Sequence, residues 1–69
     1  MSQIRILVNG APRDFAAAPT VAQVLAELDL AGKRLAIERN GEIVPRSRFA
    51  EERLAEGDRV EVVVAVGGG

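Results

Sequence analysis

An α+β domain, one mixed sheet laid against one helix, is the fold class the sequence predicts, and three observations predict it. Short apolar runs with strand periodicity occur in both halves of the chain. Only one stretch between them carries the three-to-four-residue apolar spacing of a helix. The chain has 69 residues, too few for a second domain, and no cysteine to staple a small one; 48% of it is apolar and 3% aromatic, so the core is aliphatic with Phe15 and Phe49 as additions.

The first element is "QIRILVN". It places Ile4, Ile6 and Val8 on one strand face and Arg5, Leu7 and Asn9 on the other. Asn9 and Gly10 form a favoured tight-turn pair, so "APRDFA" returns as a second strand carrying Phe15. Thr20 is placed to cap a helix, with Gln23 three residues on to complete a capping box. In "VAQVLAELDL", Val21, Val24, Leu25 and Leu28 make one buried stripe, over a helix of about three turns. Gly32 is expected to end it in a left-handed cap, with Lys33 and Arg34 suiting the negative end of its dipole.

In "LAIERNGEIVP", Leu35 and Ile37 share a strand face and Asn40-Gly41 turns the chain. Ile43 and Val44 begin a short return that Pro45 ends, because proline cannot donate to a sheet ladder. From Arg46 to Asp58 the pattern is irregular, and Phe49 and Leu54 are expected to pin this connection to the body. The last strand, "DRVEVVVAV", turns Val60, Val62, Val64 and Val66 one way. Its other face changes from Arg59 and Glu61 to Val63 and Ala65. Four to five strands around one helix leave the second sheet face open to water or to a partner. Residues 1–66 are read as the domain and 67–69 as a flexible glycine tail.

Composition excludes several function classes. Nine basic and ten acidic residues leave a net charge of −1, which does not suit a nucleic-acid partner. No apolar run is long enough to span a bilayer and the start lacks a signal-peptide pattern, so the expected location is cytoplasmic. With no histidine and no cysteine, the usual general base, metal ligand and thiolate nucleophile are missing, so no catalytic and no metal-binding residues are expected and the chain is read as a non-enzyme. Ser2 and Ser47 could be activated only by a buried Lys33, the one lysine. Glu51, Glu52 and Glu56 are read as a solvated face rather than an acid–base pair. Arg46 and Arg48 are read as surface charge, with contact to an acidic partner as the alternative.

What remains is the α-carboxylate of Gly69 on the "GGG" lead. A carboxylate is a poor electrophile, but once joined to AMP it can be attacked by a sulfur, nitrogen or oxygen nucleophile. Glycine suits a thread through a narrow channel because a Cβ would widen it. The triplet alone fits an idle terminus equally well. The strand before it tips the balance, because Val63 and Ala65 turn the exposed face apolar as the tail is approached, joined by Leu7 if the first and last strands are neighbours. These three residues are the expected docking patch.

The first strand ending in Asn-Gly, "TVAQVLAEL", "NGEIVPRS", "EGDRVEVV" and the terminal Gly-Gly together resemble the ThiS family of sulfur carriers in thiamine thiazole synthesis. The resemblance covers essentially the whole chain. It implies a ubiquitin-like β-grasp fold with the first and last strands adjacent and parallel at the sheet centre. It also implies that a ThiF-like adenylating enzyme activates Gly69 using ATP and magnesium, with no cofactor bound by the carrier itself. A persulfide-bearing sulfur donor then converts the carboxylate to a thiocarboxylate, and a ThiG-like thiazole synthase receives the sulfur. Gly68 and Gly69 match the family's terminal pair, with Gly67 as a supporting addition. Alternatives of similar fold are the small subunit of molybdopterin synthase, a ubiquitin-like modifier and a noncovalent β-grasp interaction module.

Overall fold

The computed structural model describes residues 3–64. Five strands and one α-helix follow in the order β1 (Ile4–Val8), β2 (Ala11–Phe15), α1 (Val21–Glu27), β3 (Leu35–Arg39), β4 (Glu42–Val44) and β5 (Arg59–Val64), with a 3₁₀ turn at Arg46–Arg48 between the last two strands. The sheet order is β2-β1-β5-β3-β4. β1 and β5 are parallel neighbours, with Leu7 level with Arg59 and Val8 with Val60, while every other pairing is antiparallel. The expected central pair is therefore present. The expected boundary at residue 66 and the tail lie outside the described residues.

One sheet face carries the core. Ile6 and Val8 of β1, Ile37 of β3, Val44 of β4 and Val60 and Val62 of β5 are buried against Val21, Val24 and Leu25 of α1, with Leu54 at 1% exposure closing the layer. Leu28, Leu35 and Phe49 pack partly buried against it. The alternation in β1 and β5 and the helical stripe are the sequence features that set this layering.

The helix begins as its sequence predicts and ends sooner. The Thr20 hydroxyl accepts the Gln23 N–H at 3.1 Å and the Gln23 side chain accepts the Thr20 N–H at 2.8 Å, a complete capping box. α1 has seven residues, about two turns rather than three. Its end is a Schellman motif: the Asp29 N–H bonds to Ala26 O at 3.1 Å and the Leu30 N–H to Leu25 O at 2.8 Å. Asp29, at φ 62, takes the left-handed position expected of Gly32. Leu30 can then fold back on the core, which a longer helix would prevent. Lys33 and Arg34 fall beyond the helix, whose last turn holds no basic residue.

The long connection docks on the helix start. Val21 N–H donates to Glu52 O at 3.0 Å and Ala22 N–H to Phe49 O at 2.9 Å, so two amides that a helix leaves unpaired are satisfied by this segment. Phe49 and Leu54 are its apolar anchors, as expected.

Candidate functional site at the tail end of the open sheet face

Two asparagines bracket β5. Asn9 and Asn40 each begin an Asn-Gly turn with φ near 50, and Gly10 and Gly41 follow at φ 83 and 87, the pattern of a primed hairpin turn. Asn40 N–H donates to Arg59 O at 2.8 Å, its Oδ1 accepts the Arg59 N–H at 2.9 Å, and its Nδ2 donates to Asp58 Oδ1 at 3.0 Å. Asn9 does the same further along the strand: its N–H donates to Val60 O at 2.9 Å, its Oδ1 accepts the Val62 N–H at 2.7 Å and its Nδ2 donates to Val62 O at 3.3 Å. The sequence marks both as turns. That their carboxamides reach a strand distant in sequence depends on the sheet order, and the repeated Asn-Gly pair is the one signal that points to it.

Buried charge fixes the start of β5. Asp58 is 8% exposed. It accepts from Asn40 Nδ2, from the Ala55 N–H at 2.7 Å and from Arg39 Nε at 2.8 Å. Burial favours the neutral acid, but these bonds outweigh it and hold the carboxyl below its ordinary range. Arg39 also donates to Glu52 at 2.9 Å. Burial disfavours the Arg39 cation too, and the bonds to Glu52 and Asp58 reverse that.

The acidic residues of the connection are thus partly structural rather than simply solvated. Glu52 pairs with Arg39 and, at 3.4 Å, with Arg48, while a Glu56 oxygen accepts the Arg5 N–H at 2.8 Å. Of the basic pair, Arg48 is therefore engaged within the chain, and exposed Arg46 borders a cleft with Leu25, Leu30 and Phe49. Lys33 and Ser47 are both exposed and form no buried Ser–Lys arrangement. Ser2 lies outside the described residues. Among the described residues no group of acidic side chains could hold a metal ion.

On the open face, Val63 is 61% exposed and stands opposite Ala36, which is also exposed. Leu7 faces the same way but is half-buried, level with Arg59 and opposite Pro12 of β2. From that row to Val63 is roughly 13 Å at about 3.3 Å per residue. The first and last strands are neighbours as expected, yet Leu7 and Val63 do not form one continuous patch. Ala65, Gly67, Gly68 and Gly69 lie outside the described residues.

Comparison with known proteins agrees with this architecture. A model of the ThiS family matches residues 6–69. The chain is 41% identical over 66 residues to a thiazole synthase of Paramagnetospirillum magneticum, covering 96% of this chain and 20% of that protein. It thus spans about a fifth of the length of that relative. It is 40% identical over 50 residues to the sulfur carrier protein ThiS of Bacillus subtilis, covering 72% of this chain and 76% of that one. The crystal structure of the thiamine biosynthesis protein ThiS from Geobacter metallireducens superposes with a TM-score of 0.78 at 32% identity, covering 96% of this chain and all of that one. With five strands in the order β2-β1-β5-β3-β4 and a single α-helix among the described residues, and a family match reaching residue 69, the chain is a β-grasp protein that belongs to the ThiS family.

Proposed function

We propose that this chain is a sulfur carrier of thiamine biosynthesis that works through the carboxylate of Gly69 and catalyses nothing itself. The observation that carries the reading is the family match through residue 69 on a chain that has neither histidine nor cysteine. In the proposed cycle a carboxylate oxygen of Gly69 attacks the α-phosphorus of ATP within a ThiF-like partner, with magnesium, and pyrophosphate leaves. The terminal sulfur of a partner's persulfide then attacks the acyl carbon and displaces AMP. A thiol cleaves the resulting acyl disulfide, becoming oxidised as the thiocarboxylate is released.

The acceptor proposed is a ThiG-like thiazole synthase. Two proteins named thiazole synthase, 41% and 36% identical to this chain, contain a region like it within a longer polypeptide, which supports that pairing. Gly68 and Gly67 would pass through the partner's channel, and Val63 and Ala65, with Leu7 as a separate contact, would dock the body. No helix among the described residues is long and apolar enough to cross a membrane, and we place the cycle in the cytoplasm, where ATP is available.

Intact-mass analysis tests the reading. The chain, incubated with ATP, magnesium, the adenylating enzyme of the same genome and a persulfide donor, should gain the mass of an oxygen-to-sulfur exchange. Gly69→Ala should remain unmodified while folding normally. An unaltered wild-type mass would overturn the proposal.

A further inference from the structure

Resting on the carrier reading above, we infer that Asn9 is a positioning residue for the chemistry at Gly69: its carboxamide holds the last rung of β5 that is paired on the β1 side among the described residues, and so sets how far along β5 two-sided pairing reaches when the carboxylate is engaged. β1 ends at Val8 and the chain turns away at Asn9. Among the described residues, main-chain pairing on that side of β5 reaches as far as the bond from Asn9 N–H to Val60 O, 2.9 Å. The next groups facing that side are the N–H and C=O of Val62, and the Asn9 carboxamide serves both, at 2.7 and 3.3 Å. A carboxamide carries the same donor and acceptor as a peptide group, so the side chain acts as one more residue of β1.

The other side of β5 is paired through Ala36↔Val63 and Leu35↔Val64. With Asn9 in place, the strand is gripped from both sides as far as Val62; without it, two-sided support stops at Val60. From Val62 to the carboxylate of Gly69 the chain can extend roughly 24 Å at about 3.4 Å per residue. Each further residue that frays must be ordered again when the tail is threaded, a penalty of roughly tenfold per residue. The β3 side still pairs Val63 with Ala36, so in the proposed cycle the body docks as before and the penalty falls on the step after docking.

The fold supplies its own control. Asn40 has the same turn, a φ of 52 and matching bonds, but it grips the start of β5 at Asp58 and Arg59. Asn9→Gly and Asn40→Gly each keep a residue at ease with positive φ and remove the carboxamide, and the backbone freedom that glycine adds is common to both. Both variants should lose stability, and both should be assayed well below their melting temperatures by ATP-dependent adenylation with the enzyme of the same genome. Asn9→Gly is expected to lower kcat by roughly tenfold for one further frayed residue and up to about a hundredfold for two, at an unchanged KM, and to speed hydrogen exchange of the Val62 amide. Asn40→Gly should leave kcat unchanged. Asn9→Asp keeps the acceptor for the Val62 N–H but loses the donor, and should fall between Asn9→Gly and wild type; it decides the matter if Asn9→Gly fails to fold. A normal kcat in the folded Asn9 variants, or an equal loss in Asn40→Gly, overturns the inference while leaving the carrier reading intact. A wild-type chain that is never adenylated overturns both.

Discussion

Glu38 on β3 stands directly opposite Glu61 on β5, at the middle of the sheet's open face. Among the described residues neither carboxylate belongs to an ion pair. Elsewhere on that face the opposite arrangement occurs: Arg5 lies across from Asp14 and grips it through Nε and the guanidinium at 2.7 and 3.0 Å. Like charges directly opposite in a ladder are unfavourable, and an opposite-charge pair in their place contributes up to about 1 kcal/mol. Glu61→Lys should therefore stabilise the isolated domain, raising its melting temperature by roughly 4–8 °C for a gain of about 1 kcal/mol. Calorimetry at low salt checks this. The gain should shrink in about 1 M salt, where the Debye length is about 3 Å, and its absence at low salt would defeat the assignment.

Acid should unfold the domain through Asp58. Its folded carboxyl sits below the ordinary value despite burial, because Asn40, the Ala55 N–H and Arg39 all donate to it. A depressed folded value means stability that is fully present above the unfolded value, about 3.9, and lost as pH falls through the folded one. Denaturant melts should be level from neutrality to about pH 5 and should weaken below about pH 4. Asp14, lowered by its bond with Arg5, acts in the same direction, but both partners are well exposed and solvent screens the pair. Asp58→Asn should cost about 1–3 kcal/mol at neutral pH and flatten the acid limb. An acid limb identical to wild type would assign the sensitivity to other carboxylates.

The strands and the layering were legible because alternation along β1 and β5 needs no knowledge of distant residues. The same holds for the capping box of Thr20 and Gln23, which is a contact within one turn. The helix end was not. Gly32 is the better left-handed residue by local preference, but stopping at Asp29 turns Leu30 onto the core, and burial outweighed the cost of a non-glycine cap. The roles of Asn9, Asn40 and Glu52 were hidden for a related reason. Each acts across the sheet or between the connection and β3, where only the sheet order brings the partners together. Of the residues proposed for docking, only the facing direction of Leu7 and Val63 was legible, from periodicity; their distance along the sheet follows from register, which separates them.

That separation yields its own prediction. Val63→Asp sets a charge beside Ala36 at the tail end of the face, and should weaken association with the adenylating enzyme by roughly tenfold or more. Leu7→Ala and Val63→Ala, being roughly 13 Å apart, should have effects on binding that add to within about 0.5 kcal/mol. Titration calorimetry of the two single variants and the double variant decides it. A larger coupling would mean that one partner side chain bridges both residues.

Leu54 is the point where the connection is most exposed to a single change. It is 1% exposed, its N–H donates to Pro19 O at 2.8 Å, and it sits in the segment whose carbonyls bind the Val21 and Ala22 amides. Removing its side chain leaves a cavity beneath the helix start and also loosens the segment that completes the helix N-terminus. Leu54→Ala should cost about 2–5 kcal/mol, a large share of what one core of this size supplies. Leu54→Met, which conserves volume, should cost less than about 1.5 kcal/mol. The loss should also be local in its first effects: hydrogen exchange at Val21 and Ala22 should accelerate before that of Ile6 or Val62, since β1 is also paired with β2 and β5 with β3. A cost below about 1 kcal/mol for Leu54→Ala would show that Phe49 alone is enough to pin the connection.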